Sequence, residues 1–468
     1  SKQPDPFILI LKMNTPHHRH PVTTDKTDYG AAEQTKSEAS PLASWQDHGN
    51  HGHLSMMEEG ESEPSQWFCN NSKGRHKHKG LWVLLVLVSL GLVVFSVRKN
   101  NNPHLFQEGV VVPVQDAQEY WLELPPDDSS TNDDVPLQIW YRVWGRMDGT
   151  GIPLLFVHGG PGNAIADYFG NSNQRFFGSN ENDNDSYPFL VVEVDQRGTG
   201  HSQPSVRDGW QNMKYYKDIS ITKMVADFEV VRRHLKIDQW LVWGGSFGST
   251  LAIHYGQEYP DSTLALILRG LYLDTAEEVY TVYSRSTYLD HPKRLNEYDI
   301  LYDYAAKYVQ EHHKGTDEPS LDPNDAERLL RIYAEMISNG DEHAIWHWFV
   351  FENNLMELDP KRILDPDHIN KEFYRESLSV AFFETHLWLH GSFDSPTSDL
   401  LDRSKIQQLT MPLWVCQGQH DEVCPKQYAQ RFVDSVVKED RSPWVVSRFV
   451  NGTHEDTDPA IETCLKRS

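Results

Sequence analysis

The stretch Gly244-Gly245-Ser246-Phe247-Gly248 constrains the fold of this chain more than any other. It follows an apolar run, Trp240-Leu241-Val242-Trp243, and precedes a helical pattern, Thr250-Leu251-Ala252-Ile253-His254-Tyr255. The segment therefore reads as strand, sharp turn and helix, with a serine at the apex. A turn this tight demands strained backbone angles and neighbours without bulky side chains, which glycine supplies. It pushes the Ser246 hydroxyl outward and aims the Phe247 N–H, at the start of a helix, toward any negative charge that develops there.

Similar short apolar runs recur at residues 137–143, 154–157, 189–194, 264–268, 413–415 and 445–450, with helical patterns between them. This alternation predicts a mostly parallel sheet covered on both faces. In such sheets, sites form beyond the carboxyl ends of the strands, and the polar motifs of this chain sit there. His158-Gly159-Gly160-Pro161-Gly162 follows the 154–157 run and has the form of a loop that lends a backbone N–H to an oxyanion hole, with Gly160 as the expected donor and Gly159 as the alternative. In Asp195-Gln196-Arg197-Gly198-Thr199-Gly200-His201-Ser202, Asp195 and Arg197 are expected to fix a loop beneath the site. An acid and a base are expected after the serine in the chain. Asp421 ends the 413–415 run and His454 ends the 445–450 run, whereas His201 precedes the serine and His420 neighbours the acid. The expected chemistry is attack by Ser246, deprotonated by His454, which Asp421 orients, with the Gly160 and Phe247 N–H groups stabilising the oxyanion.

Before this part lies a different kind of sequence. Residues 80–97, GLWVLLVLVSLGLVVFSV, are uncharged and apolar, and as a helix span about 27 Å, enough to cross a bilayer. Basic flanks disfavour a buried core helix, and the absence of a small-x-small site disfavours a cleaved signal. Lys73, Arg75, Lys77 and Lys79 precede the run and only Arg98 and Lys99 follow it, so the N-terminal side is expected to be cytoplasmic and the rest lumenal or extracellular. Residues 1–79 are polar and aperiodic and are expected to be disordered, with Met13 a candidate start. Residues 98–115 read as a linker. A net charge of −25 argues against general nucleic-acid binding. The four cysteines define no disulfide framework. In the catalytic part no compact set of His, Cys and carboxylates has metal-ligand spacing, and this chemistry needs no cofactor.

The motifs HGGPG, DQRGTGHS, GGSFGSTLA, LILRG and GQHDEVCP, in this order, resemble those of the prolyl iminopeptidases, α/β hydrolases that remove N-terminal proline from peptides. The resemblance runs from about residue 116 to the C-terminus. It implies an α/β-hydrolase core (116–274 and 405–468) interrupted by a helical cap (275–404); the single transmembrane helix expected before it is not part of the family pattern. It also implies that two cap glutamates bind the substrate's free α-amino group. Glu352, in Trp348-Phe349-Val350-Phe351-Glu352, and Glu384, in Phe383-Glu384-Thr385-His386-Leu387-Trp388, occupy the matching positions. Phe351 replaces the second tryptophan of the first motif, Phe247 replaces the tryptophan usual after the serine, and Gln419-His420 replaces Arg-Tyr before Asp421. The expected partners are peptides with a free N-terminal proline. The competing expectations are a broader aminopeptidase or esterase of the same fold, and a catalytically silent binding protein.

Overall fold

The computed structural model describes residues 111–112, 114–125, 135–165, 174–177, 188–313, 319–357, 361–394, 399–439 and 444–468. The expected tail, transmembrane run and most of the linker lie outside these residues. No helix among the described residues is long and apolar enough to cross a membrane.

Among the described residues, nine strands form one sheet: β1 Val111–Val112, β2 Gln118–Glu123, β3 Gln138–Arg146, β4 Ile152–Val157, β5 Phe189–Val194, β6 Trp240–Gly245, β7 Thr263–Arg269, β8 Leu413–Gly418 and β9 Val445–Val450. Their order is β1-β3-β5-β4-β6-β7-β8-β9, with β2 paired to β3. From β5 to β9 every pairing is parallel, and β1, β2 and β3 are antiparallel. The expected mostly parallel sheet is therefore present, with an antiparallel edge. β2 was not anticipated. Its residues alternate between half-buried and exposed, so it carries no apolar run to mark it.

Because successive strand side chains point to opposite faces, each strand feeds two cores. Ile139, Tyr141 and Val143 of β3, Leu155 and Val157 of β4, and Leu266 and Leu268 of β7 enter one. Trp140 and Trp144, Leu154 and Phe156, and Ile267 from the same strands enter the other. Helices α1 Ile221–His234 and α2 Phe247–Glu258 cover the first face through Met224, Phe228, Leu251 and Tyr255.

Between β7 and β8 the chain leaves the sheet and forms α3 Ala276–Val282, α4 Pro292–His312, α5 Ala326–Ser338, α6 Glu342–Met356 and α7 Tyr374–Trp388. Side-chain caps start three of them: Thr275 with Glu278 in a reciprocal box at α3, Asp325 at α5 and Asp341 at α6. Their apolar faces join the first core, so this helical layer and the sheet share one interior. After β8, α8 Lys426–Val437 packs on the same face, and α9 Pro459–Leu465 closes the other through Ile461 and Leu465.

A Cys416–Cys464 disulfide ties β8 to α9, and Cys424 is a buried free thiol. Sequence left this pairing open, because spacing alone does not choose among cysteines near one end of a chain. The bridge encloses both Asp421 and His454.

Candidate active site

Ser246 sits between β6 and α2 at φ 55° and ψ −131°, a strained conformation for a non-glycine residue. The glycines around it are sterically required. A Cβ on Gly244 would lie 2.1 Å from the Gly248 carbonyl oxygen, and one on Gly248 would lie 2.4 Å from that of Val157. Phe247 is the first residue of α2, and an N–H at that position has no intrahelical acceptor.

The loop after β4 abuts this turn. A Cβ on Gly159 would fall 3.1 Å from the Ser246 Cβ, and Gly160 holds φ +106°. Gly159, Gly160 and Phe247 all line one cavity of about 550 Å³ with Ser246. Ser379 of α7 donates a 2.8 Å hydrogen bond to the Gly162 carbonyl, docking the cap helix onto this loop. Beneath it, Asp195 accepts from the Ile165 N–H (2.7 Å) and the His201 N–H (2.8 Å), and Arg197 grips Asp227 through two 2.6 Å bonds. These are the loop-fixing contacts anticipated for Asp195 and Arg197. His158 is fully buried and accepts from the Gln196 N–H at 3.1 Å, so it belongs to the scaffold.

Asp421 and His454 meet as their places at the ends of β8 and β9 predict. His454 Nδ1 lies 2.9 and 3.0 Å from the two Asp421 carboxylate oxygens. Asp421 also accepts from the N–H groups of Val423 and Cys424 and from Gln417 Nε2, so it receives four donors in all. His454 Nε2 faces Arg269 Nη1 at 3.3 Å, and the same guanidinium holds the His454 carbonyl at 2.9 Å. A guanidinium only donates. Nε2 is therefore the acceptor, and the ring proton sits on Nδ1, donated to Asp421. Among the described residues no hydrogen bond joins Ser246 to His454, and the Cys424 thiol lines the same cavity as both. Burial pushes that thiol well above its ordinary pKa. Asp421, Cys424 and His454 offer ligand atoms within 4.8 Å of one another, a set that linear spacing concealed, although two of the three already bond each other.

Across the cavity, α6 contributes Glu352 and α7 contributes Glu384, 6% and 4% exposed. Each receives one side-chain donor among the described residues: Tyr283 Oη for Glu352, and Trp348 Nε1 at 2.7 Å for Glu384. Tyr283 stacks on Trp348 at 4.9 Å and Trp388 closes the cluster, an aromatic wall around two acids. Burial raises both carboxyls, and the Glu352 charge raises Glu384 further. The pair is thus short of positive charge in a desolvated setting. Tyr283 and Arg269 carried no role in the sequence reading. Arg269 lies inside the LILRG motif, whereas nothing in the sequence marks Tyr283.

The family model described as alpha/beta hydrolase fold matches residues 152–439, and the chain belongs to that family. Within it the chain groups with the prolyl iminopeptidases and is a serine hydrolase. It is 30% identical over 298 residues to proline iminopeptidase of Arabidopsis thaliana, covering 62% of this chain and 66% of that one. It is 28% identical over 333 residues to proline iminopeptidase of Neisseria meningitidis serogroup A, covering 70% and 90%. Among solved structures, an esterase from Exiguobacterium antarcticum covers 71% of this chain and 94% of its own at 16% identity and TM-score 0.42.

Proposed function

We propose that this protein is a serine exopeptidase that releases N-terminal proline from peptides through an acyl-enzyme. The carrying observation is the buried pair Glu352 and Glu384 in the cavity that contains Ser246. A buried carboxylate pair without a cation is costly, and a substrate ammonium would neutralise it. An ester substrate has no such group, which disfavours a plain esterase. The aromatic wall of Tyr283, Trp348 and Trp388 suits the apolar ring of a prolyl residue.

In this reading the ammonium docks on the two glutamates and the scissile carbonyl lies against Ser246. His454 Nε2 takes the serine proton as Oγ attacks, once the imidazole has turned from Arg269 toward Ser246. Asp421 keeps Nδ1 protonated and stabilises the imidazolium. The N–H groups of Phe247 and Gly160 receive the oxyanion, each such donor contributing roughly 3 to 4 kcal/mol. His454 then protonates the leaving nitrogen, and a water, deprotonated by the same imidazole, releases proline.

Residues 80–97 anchor the chain in this proposal, with the N-terminus cytoplasmic and the hydrolase part lumenal or extracellular. The Cys416–Cys464 disulfide supports that side, since such bonds persist in oxidising compartments. The test of activity is hydrolysis of Pro-, Ala- and Leu-amides by the full chain in detergent. Preference for Pro-amide supports the reading. Equal rates on all three favour a broader aminopeptidase, and absence of turnover together with absence of fluorophosphonate labelling at Ser246 favours a binding protein.

A further inference from the structure

The cavity has a second carboxylate feature that amine recognition does not use. In the exopeptidase reading, on which this inference rests, His454 hands a proton to the leaving nitrogen, so the released peptide departs along the wall that follows the base. That wall is Glu455, Asp456, Thr457, Asp458 and Pro459, all lining the same cavity as Ser246.

Most charges around the cavity are already engaged. Arg269 is directed at His454, and Arg362 pairs with Glu357 at 3.2 Å. Glu278 is closed within its helix-capping box, accepting from Leu273, Thr275 and the Thr275 hydroxyl. Asp458 accepts from the N–H groups of Thr453 and Ala460. Glu455 differs. It is half-buried, it directly follows the base, and its carboxylate has no hydrogen bond or ion pair among the described residues. The whole chain carries −25.

We propose that Glu455 selects leaving peptides that carry lysine or arginine in their first residues and rejects acidic ones. A cationic side chain emerging past His454 meets a carboxylate with no competing partner. The long-range field draws cationic peptides in and is screened by salt.

The experiment compares C-terminally amidated Pro-Lys-Gly, Pro-Gln-Gly and Pro-Glu-Gly on the full chain in detergent, with the matching Ala-first series alongside. The expected kcat/KM for the lysine peptide is about fivefold above that for the glutamate peptide at low ionic strength, the size of a partly exposed ion pair, and the gap narrows with added salt. Glu455→Gln, close in shape, brings the ratio toward one, and Glu455→Lys inverts it. A wild-type ratio near one, or a ratio unchanged in Glu455→Gln, overturns the proposal. Cleavage of the Ala-first series alone, with the lysine preference intact, overturns the proline reading and leaves this one standing. The same peptides compete with fluorophosphonate labelling of Ser246. Stronger protection by the lysine peptide supports the proposal and equal protection overturns it, even where turnover is too slow to measure.

Discussion

Asp421 and the Glu352–Glu384 pair are all buried carboxylates lining or flanking one cavity, yet their surroundings are opposite. Asp421 receives four donors and is complete without any ligand. Glu352 and Glu384 receive one side-chain donor each, and burial raises both. On the proposed function, the contrast separates a group that holds its neighbour in place from a pair that receives its charge from the substrate. A carboxylate's role is read from how many of its lone pairs the protein has already filled.

The comparison is broken most severely at the nucleophile. Ser246→Ala and His454→Ala are expected to lower kcat on an unblocked prolyl amide by about 10⁴-fold or more, as residues acting as one unit do, checked by steady-state kinetics with fluorophosphonate labelling alongside. If either retains near-normal turnover, the floor of the cavity is not the reacting site.

Glu352→Gln with Glu384→Gln should cost about 10²-fold in kcat/KM for the same amide, the scale of losing a buried charge partner, while raising stability. The sign follows from protonation. Burial pushes the Glu352 carboxyl from its ordinary 4.5 up to about 7. Between those values the folded state holds more protons than the unfolded one, so this contribution to stability is lost as pH rises through that window. The Tm advantage of the double variant should therefore grow from about pH 5 to pH 8. Asp421→Asn, by contrast, should lower both Tm and kcat. In the unmodified protein, kcat/KM should climb with pH through about 7 as Glu352 ionises to receive the ammonium, and that limb should vanish in Glu352→Gln.

A smaller effect comes from the disulfide. Its 48-residue separation spans both Asp421 and His454, and Cys416→Ala with Cys464→Ala should cost about 2 to 4 kcal/mol of stability, measured by denaturant unfolding.

The floor of the cavity was largely legible in the sequence because each member has a local cause. Gly244, Gly245 and Gly248 exist to permit one turn, and Asp421 and His454 sit where apolar strands end. The parallel strands were legible for the same reason, as short apolar runs between turn residues. β2 was not, since one of its faces is solvated. The cap's contribution was visible only through resemblance, because Glu352 and Glu384 lie 32 residues apart on separate helices and only the packing of α6 against α7 makes them neighbours. Tyr283, which holds Glu352, leaves no local pattern, and Arg269 lies within the LILRG motif while its place facing His454 is set by contacts across the fold.

The most direct test of the account is the rate of cleavage of a prolyl amide with a free amine against that of its N-acetylated counterpart, on the full chain in detergent. The account predicts rapid cleavage of the free amine and a loss of about 10²-fold or more on acetylation, with the discrimination abolished in the Glu352→Gln, Glu384→Gln variant. Equal cleavage of free and acetylated substrates would contradict it.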